Sequence, residues 1–278
     1  MANLVIEAKA QDVNFVTKFE ANVQHLLSVL GMTSVSVVAP GTAVKVYETS
    51  GTLPTAAVAE KALIPDAGIA VGNPTVIEVA YQKYRNLTGI ESIGKYGYEL
   101  AVGKTNEDML KQVQNKVRKS IIDGLNATGV DTATGANFQA AIAATAGKVA
   151  AKFEAEVATP VFFVNPANLY EYLGAHNVTL ESAFGLSYLA NFMGIGNVIA
   201  DSNVPNNTIY GTAVENLQVV APSIAQIPGM ELTTDASGII GVRNEALYEN
   251  GAIQTVAYCG LAVHPAFKDR IVKATISA

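Results

Sequence analysis

A long segment without hydrophobic periodicity limits the folds that this chain can adopt. Residues 49–74 are rich in Gly, Pro, Thr and Ala, and they separate two stretches in which apolar and small or polar residues alternate. The apolar positions are Val35, Val37, Val44 and Val46 in the first stretch and Ile77, Val79 and Tyr81 in the second. The pattern predicts two strands joined by a connection far longer than a hairpin turn. Because an isolated two-stranded ribbon is marginal in water and its edges are open, we expect it to lie against a neighbouring subunit. The alternatives are a flexible lid or a disordered insertion.

Two amphipathic helices are predicted on either side of this hairpin. Apolar residues recur every three or four positions from Asp12 to Leu30, with Asp12 as the expected N-cap and Gly31 as the expected stop. A second helix is expected to open at Thr105 and to run to Ala127, a length of roughly 35 Å. Its Lys and Arg residues lie off the apolar stripe. We interpret them as a solvated or salt-bridged face and assign them no DNA-binding role.

The second half of the chain has the pattern of an α/β domain. Residues 128–135, rich in Gly and Thr, predict a turn at a domain boundary. An Ala-rich helix is then predicted over residues 136–148, followed by a buried strand over residues 160–164 and a helix that begins at Pro166. Further short strands are predicted at residues 197–200, 208–210 and 217–220 and in the segments that follow Met230.

The sequence contains no motif typical of catalysis or metal binding. The histidines are His25, His176 and His264, and none stands in a metal-ligand spacing. No nucleophile elbow, phosphate loop or dinucleotide fingerprint occurs. Cys259 is the single cysteine, so no intramolecular disulfide can form, and we interpret it as a small buried hydrophobe. These patterns name no catalytic, cofactor-binding or metal-binding residue, and they do not exclude an enzyme, because many active sites leave no local signature.

Charge limits the partners that the chain can have. Only 15% of the residues are charged, which is sparse for a free globular protein and indicates that partners cover part of the surface. The net charge of -6 argues against a nucleic-acid reader and is compatible with a wall that encloses DNA without sticking to it. The chain opens on no signal peptide and has no apolar run of about 18 residues, so we expect neither secretion by that route nor a membrane span.

Five features in order resemble the major capsid proteins of tailed bacteriophages with the HK97-type fold. They are the N-terminal arm, the long hairpin, the helix from Thr105, the segments 162–166 and 199–205 of the α/β region, and the closing segment 263–267. The resemblance covers essentially the whole chain. It implies an α+β fold with an N-terminal arm, an extended β-hairpin loop, a peripheral domain with a long spine helix, and an α/β axial domain.

The resemblance also implies domain bounds and a function. The bounds are residues 1–33 for the N-terminal arm, 34–86 for the extended hairpin loop, 87–128 with 225–262 for the peripheral domain, and 129–224 with 263–278 for the axial domain. Such a protein self-assembles through pentamers and hexamers into an icosahedral head shell that encloses the phage dsDNA genome. It would act structurally and not as an enzyme, and it would need no cofactor or metal. It would enclose the DNA without sequence-specific binding, and it would be found in the virion after assembly in the host cytoplasm.

Partners and contact residues follow from the same resemblance. Some members cross-link a hairpin lysine to an asparagine of a neighbour with the help of a glutamate. Here the residue types are supplied by Lys61, by Asn244 or Asn250, and by Glu245 or Glu249. No motif matches, so ordinary surface roles are favoured for these residues. The candidate inter-subunit residues are Lys61, Tyr81, Tyr84, Asn244 and Asn250. Because the chain lacks the long N-terminal segment that scaffolds some members, a separate scaffolding protein is expected. A portal and decoration proteins complete the expected partners.

Three other interpretations stay open at this point. The first is an encapsulin-like bacterial nanocompartment, which resembles the same fold and encloses enzymes. The second is a phage tail or adhesion protein, which a separate C-terminal sandwich would favour. The third is a soluble α/β enzyme that uses residues 49–74 as a lid, which a deep pocket lined by ionisable groups would favour.

Overall fold

The structure is a computed structural model that describes residues 2–39, 41–54, 58–59, 61–126, 130–153, 158–176, 178–183, 185–224, 227 and 229–277. These ranges contain five α-helices and eighteen strands. The helices are α1 Ala2–Leu30, α2 Ile90–Tyr96, α3 Tyr98–Leu125, α4 Phe138–Lys152 and α5 Pro166–Ala175.

The strands form three sheets and two short ribbons. In chain order they are β1 Ser36–Val38, β2 Ala43–Val46, β3 Thr49–Ser50, β4 Ala70–Val71, β5 Thr75–Glu78, β6 Gln82–Gly89, β7 Asp131–Gly135, β8 Pro160–Val164, β9 Glu181–Ala183, β10 Leu186–Phe192, β11 Gly196–Ala200, β12 Thr208–Ala213, β13 Leu217–Pro222, β14 Thr233–Thr234, β15 Ile240–Leu247, β16 Ala252–Cys259, β17 Ala262–Pro265 and β18 Val272–Ile276. The sheets have the orders β7-β18-β12-β8-β11-β10-β9, β14-β15-β16-β6 and β1-β13-β17. The ribbons pair β2 with β5 and β3 with β4.

The central strand β8 shows that the seven-stranded sheet is covered on both faces. Phe162 and Val164 lie in an apolar cluster with residues of α4 and α5, whereas Val161 and Phe163 lie in a second cluster with residues of α1 and α3. Successive side chains of a strand point to opposite faces, so a strand between two helical layers must be apolar throughout. The predicted buried strand over residues 160–164 is confirmed.

Helix α3 begins at Tyr98, well before the predicted start at Thr105. The prediction that Thr105 caps this helix is wrong, because its hydroxyl donates to the carbonyl oxygens of Ala101 and Val102 in the preceding turn. Threonine makes that bond inside a helix as readily as it caps one. The predicted apolar stripe of α3 is buried, as shown by Leu110, Val113, Val117, Ile121 and Leu125.

Helix α1 is longer than predicted and lies in the main core. It extends back to Ala2, so Asp12 is an interior residue and its prediction as an N-cap is wrong. Its apolar face packs against β15 and α3. The helix falls within residues 1–33, the bounds expected for the N-terminal arm. Gly31 ends the helix as predicted, with a φ of 73° and its N–H donating to the Ser28 carbonyl.

The predicted turn over residues 128–135 is partly a strand. β7 forms the edge of the seven-stranded sheet and pairs with β18 in parallel, so the turn prediction is wrong for these residues. Its Gly and Thr composition is typical of a turn, but pairing with a distant strand decides its structure. Residues 127–129 lie outside the described residues, and the predicted domain boundary falls there.

The two helices predicted after this region are confirmed. α4 corresponds to the Ala-rich prediction, and the Asn137 side chain caps it by accepting from the Ala140 N–H at 2.8 Å. α5 begins at Pro166, after the Asn165 side chain accepts from the Ala167 N–H at 2.9 Å. The domain bounds stay a prediction, since one apolar cluster joins α1 and α3 with residues of all three sheets.

Candidate interaction surface

The hairpin that the alternating pattern predicts stands on a packed base. Val44 lies opposite Ile77 in the β2–β5 ribbon. Ile77, Val79 and Val220 form a small apolar cluster, which joins the hairpin to β13 of the three-stranded sheet. Tyr81 strengthens this junction, because its hydroxyl donates to the Ser223 carbonyl at 3.0 Å. The base is therefore held by the body of the subunit.

Beyond this base, the hairpin exposes a series of large apolar side chains. We call the described residues 47–54, 58–59 and 61–76 the apolar loop. Its exposed large hydrophobic residues are Tyr47, Leu53, Val58, Leu63, Ile64, Ile69, Val71 and Val76. Leu63 is 94% exposed and Ile64 is 79% exposed. Each would gain about 1.5–3 kcal/mol on burial, so water is an unfavourable environment for this surface.

The charge and the backbone of the apolar loop also favour a protein partner. The charged residues of the whole segment 47–76 are Glu48, Glu60, Lys61 and Asp66, which leaves residues 49–59 and 67–76 without charge. The β3–β4 ribbon is only two residues long on each side and has no third strand in the described sheets, so its edges are open to pairing. Exposed apolar surface of this kind marks an interaction site in a soluble protein.

Sequence reasoning located the hairpin but missed the side chains that carry its surface. Lys61 was the residue proposed there, and it is exposed with a φ of 65°. Leu63 and Ile64 stand two and three residues further on. An apolar pair inside a Gly- and Pro-rich segment with few charges was the available signal.

The other proposed contact residues lie on separate elements. Tyr81 is at the base of the hairpin, and Tyr84 is on β6 with the Lys116 ammonium 4.7 Å from its ring centroid. Asn250 is exposed in the turn Tyr248–Asn250 between β15 and β16. These positions leave the contact role of Lys61, Tyr81, Tyr84 and Asn250 as a prediction.

Asn244 differs from the others because its side chain is bonded inside the subunit. It is buried on β15, and its Nδ2 donates to Asp12 Oδ1 at 2.5 Å. The Thr255 hydroxyl contacts both Asn244 Oδ1 and Asn106 Oδ1. This polar network joins α1, α3, β15 and β16, so Asn244 holds elements of one subunit together.

Asp12 is the titratable group of that network. Burial raises the pKa of its carboxyl from 3.8 to about 6, against the lowering effects of the Asn244 hydrogen bond and of Arg243 and Lys9. The carboxyl lines a cleft of about 860 Å³ that also includes Tyr98. At neutral pH this carboxyl is ionised in a partly buried position, so its charge lowers the free energy of unfolding of the subunit.

We expect Asp12→Asn to stabilise the subunit at neutral pH. The folded-state pKa lies above the ordinary value, so the folded protein binds the proton more tightly and its free energy of unfolding falls as the pH rises from about 4 to about 6. The amide keeps an acceptor for Asn244 and carries no charge. The gain at pH 7.5 is expected to be about 1–2 kcal/mol after allowance for solvent screening, measured by denaturant unfolding across pH 4–8.

Asp123→Asn is the matched control for this variant. Asp123 is exposed on α3, and the same chemical change there is expected to alter the free energy of unfolding by less than about 0.5 kcal/mol. Parallel pH profiles for the wild type and Asp12→Asn would contradict the role assigned to Asp12.

Among the described residues, no cluster of three or more His, Cys, Asp or Glu side chains could hold a metal ion. In the same part of the chain, no helix has the length and hydropathy needed to cross a bilayer. Cys259 is 2% exposed, and burial raises the pKa of its thiol to about 12. The interpretation of Cys259 as a buried hydrophobe is confirmed.

Comparison with known proteins identifies the fold. No protein-family model and no curated protein sequence matches the chain. The virus-like particle from Pyrococcus furiosus matches with a TM-score of 0.59 at 12% identity, over 96% of this chain and 98% of that one. The cyanophage A-1(L) capsid matches at 0.54 and 14%, over 90% and 92%. The SrpI encapsulin from Synechococcus elongatus matches at 0.52 and 11%, over 90% and 86%.

The chain therefore has a capsid-like fold of the HK97 type. The predicted α+β fold class is confirmed by matches that cover nearly all of both chains. At these identities the likeness concerns the fold, and phage capsids, encapsulins and virus-like particles share it.

Proposed function

We propose that this chain is the major capsid protein of a tailed bacteriophage and acts structurally, without catalysis. It assembles through pentamers and hexamers into an icosahedral head shell that encloses the dsDNA genome. The observation that carries the proposal is the apolar loop, which a fold of the HK97 type holds away from the subunit body with Leu63 and Ile64 exposed.

Repeated contact between identical subunits explains how such a loop builds a shell. A surface on one copy that binds a different surface on the next forms a ring when the rotation closes. Each subunit then makes several contacts at once, so leaving the shell requires breaking them together. We propose the virion as the site of the mature protein, after assembly in the host cytoplasm.

Electron microscopy of the full chain tests this function. The protein is expressed alone and with a candidate scaffolding protein, and particle mass is measured by light scattering on the same samples. Closed shells, or rings of five or six subunits, are the expected result. A monodisperse monomer or dimer under both conditions would contradict the proposal and favour a soluble enzyme.

The same samples test the proposed partners. We expect shells of uniform size only when the scaffolding protein is present, and uniform shells from the chain alone would contradict that requirement. Portal and decoration proteins would join the shell in infected cells. Particles isolated from the native source are expected to contain DNA, whereas a protein cargo would establish the encapsulin-like alternative.

A further inference from the structure

The turn between β15 and β16 contains the single asparagine–glycine sequence of the chain. Asn250 is followed by Gly251, and at every other asparagine the next residue carries a side chain. Asn250 is exposed at the end of the short 3₁₀ turn Tyr248–Asn250, and Gly251 then leads into β16. The amide of an exposed asparagine therefore lies next to a backbone nitrogen that no Cβ shields.

The backbone of this turn is loosely held at the glycine. Gly251 has a φ of 52°, in the left-handed region that glycine adopts without strain. Its N–H donates to the Tyr248 carbonyl at 3.4 Å, which is longer than the usual range of about 2.7–3.2 Å for such a bond. A hydrogen bond of this length restrains the nitrogen little, so the nitrogen is free to turn toward the Asn250 side chain.

The Asn250 side chain is also free to move. In the part of the chain that the structure describes, no residue forms a hydrogen bond with it. Asn244 in the same hairpin is the contrasting case, because Asp12 and Thr255 bond its side chain inside the subunit. Of these two asparagines, Asn250 alone combines a mobile amide with a glycine as the next residue.

We propose that Asn250 is a site of spontaneous deamidation through a cyclic imide formed with Gly251. The Gly251 backbone nitrogen attacks the side-chain carbonyl carbon Cγ of Asn250, and the new C–N bond closes a succinimide ring. The bond from Cγ to Nδ2 breaks, and Nδ2 leaves as ammonia with the proton that the Gly251 nitrogen loses. Water then opens the ring at either of its carbonyl carbons and gives aspartate or isoaspartate at position 250. Nothing is oxidised or reduced, and the solvent supplies the water.

The product changes the charge of an exposed apolar turn. Either acid adds a carboxylate beside Glu249 in a chain whose net charge is already -6. Tyr248 is 90% exposed, and Ile90, whose N–H donates to the Gly251 carbonyl at 2.9 Å, is 62% exposed. A charge beside these side chains opposes their burial against another protein. The reaction needs only the folded subunit and water, so the inference does not rest on the shell function.

Direct hydrolysis of the side-chain amide is the competing route. Water would then attack Cγ without the backbone nitrogen, so the product would be aspartate alone, and exposed asparagines would react alike. Asn206 distinguishes the two routes, because it is exposed in a turn and is followed by Asn207, which has a side chain and a φ of 57°. Exposure alone predicts equal conversion at Asn206 and Asn250, whereas the imide route predicts conversion at Asn250.

Peptide mapping by mass spectrometry tests the proposal on the full chain. The purified protein is incubated near neutral pH, and samples taken over several weeks are digested and searched for the small mass gain that follows replacement of NH₂ by OH. Asn250 is expected to react at least about ten times faster than Asn206, which corresponds to a barrier lower by about 1.4 kcal/mol. Both aspartate and isoaspartate are expected at position 250, and electron-transfer fragmentation distinguishes them.

Gly251→Asn isolates the role of the glycine. Asparagine tolerates the left-handed region, and the nearest atom to an added Cβ is Ile90 Cγ2 at 3.7 Å, so the turn is expected to be kept. The new side chain crowds the attacking nitrogen, and conversion of Asn250 is expected to slow at least about tenfold. Asn250→Gln is the matched control, since its longer side chain would have to close a larger ring. It should remove the acidic species that isoelectric focusing detects in the aged wild type.

Each of three results would overturn the proposal. Equal conversion of Asn206 and Asn250, or an Asn250 that stays intact, would show that the glycine gives no advantage. Aspartate without isoaspartate at position 250 would establish direct hydrolysis. An unchanged rate in Gly251→Asn would show that the nitrogen of residue 251 does not attack. The first two results come from the wild type alone, so the test does not depend on the folding of a variant.

Discussion

Leu63→Ser with Ile64→Ser is expected to abolish closed shells while leaving the subunit folded. Both side chains are almost fully exposed in the isolated subunit, so their loss removes little from its core. In a shell they would be covered by a neighbouring copy, and each buried side chain of this size contributes about 1.5–3 kcal/mol. The double variant therefore weakens each contact by about 3 kcal/mol or more, which is at least a hundredfold in its association constant.

The effect on assembly is larger than the effect on one contact. Every subunit of the shell would lose the same contribution, and shell stability depends on several contacts made at once. We expect electron microscopy to show rings or single subunits under conditions in which the wild type forms shells. Unfolding curves of the dissociated variant and wild type should coincide within about 0.5 kcal/mol.

Val13→Ser with Tyr170→Ser is the matched control for the loop variant. These residues are about half exposed on α1 and α5, and neither belongs to the apolar loop. We expect this control to form shells. Normal shells from the loop variant would show that Leu63 and Ile64 carry no assembly contact, and the argument from exposure would then fail.

The main features of the fold were predictable where local pattern and final structure agree. The period of the apolar residues located α1 and α3, the alanine content located α4, and a continuous apolar run located β8. Gly31 marked the end of α1 and Pro166 the start of α5 through their own backbone preferences. These signals come from residues that are close in sequence, so contacts with distant parts of the chain do not change them.

The errors arose where a distant contact decides the outcome. Aspartate is a common N-cap residue, yet Asp12 lies inside α1, where its carboxyl accepts a hydrogen bond from Asn244. The Gly and Thr content of residues 131–135 predicts a turn, yet these residues form a strand because they pair with β18. The candidate site divides in the same way, since the sequence shows the long hairpin but not which of its side chains stay exposed.

Gly135→Ala is expected to cost about 3 kcal/mol of subunit stability, at the upper end of the usual range for overpacking. A Cβ at this position would lie 2.2 Å from the Ala141 nitrogen and 2.4 Å from its Cα. Both atoms belong to the backbone of the first turns of α4, so no side-chain rotation can relieve the contact. The helix would have to move off the sheet, and its apolar face includes the fully buried Ile142.

Gly147→Ala, which lies in α4, is the matched comparison for Gly135→Ala in β7. An added Cβ there meets nothing within 4 Å, and replacing a glycine inside a helix by alanine stabilises it by about 0.5–1 kcal/mol. The same substitution should therefore have opposite signs at two positions 12 residues apart. Both are measured by denaturant unfolding in the Leu63→Ser, Ile64→Ser background, where assembly does not mask subunit stability. Equal stability of the two variants would mean that α4 does not pack on β7 as closely as described, and that β7 tolerates a side chain at its end.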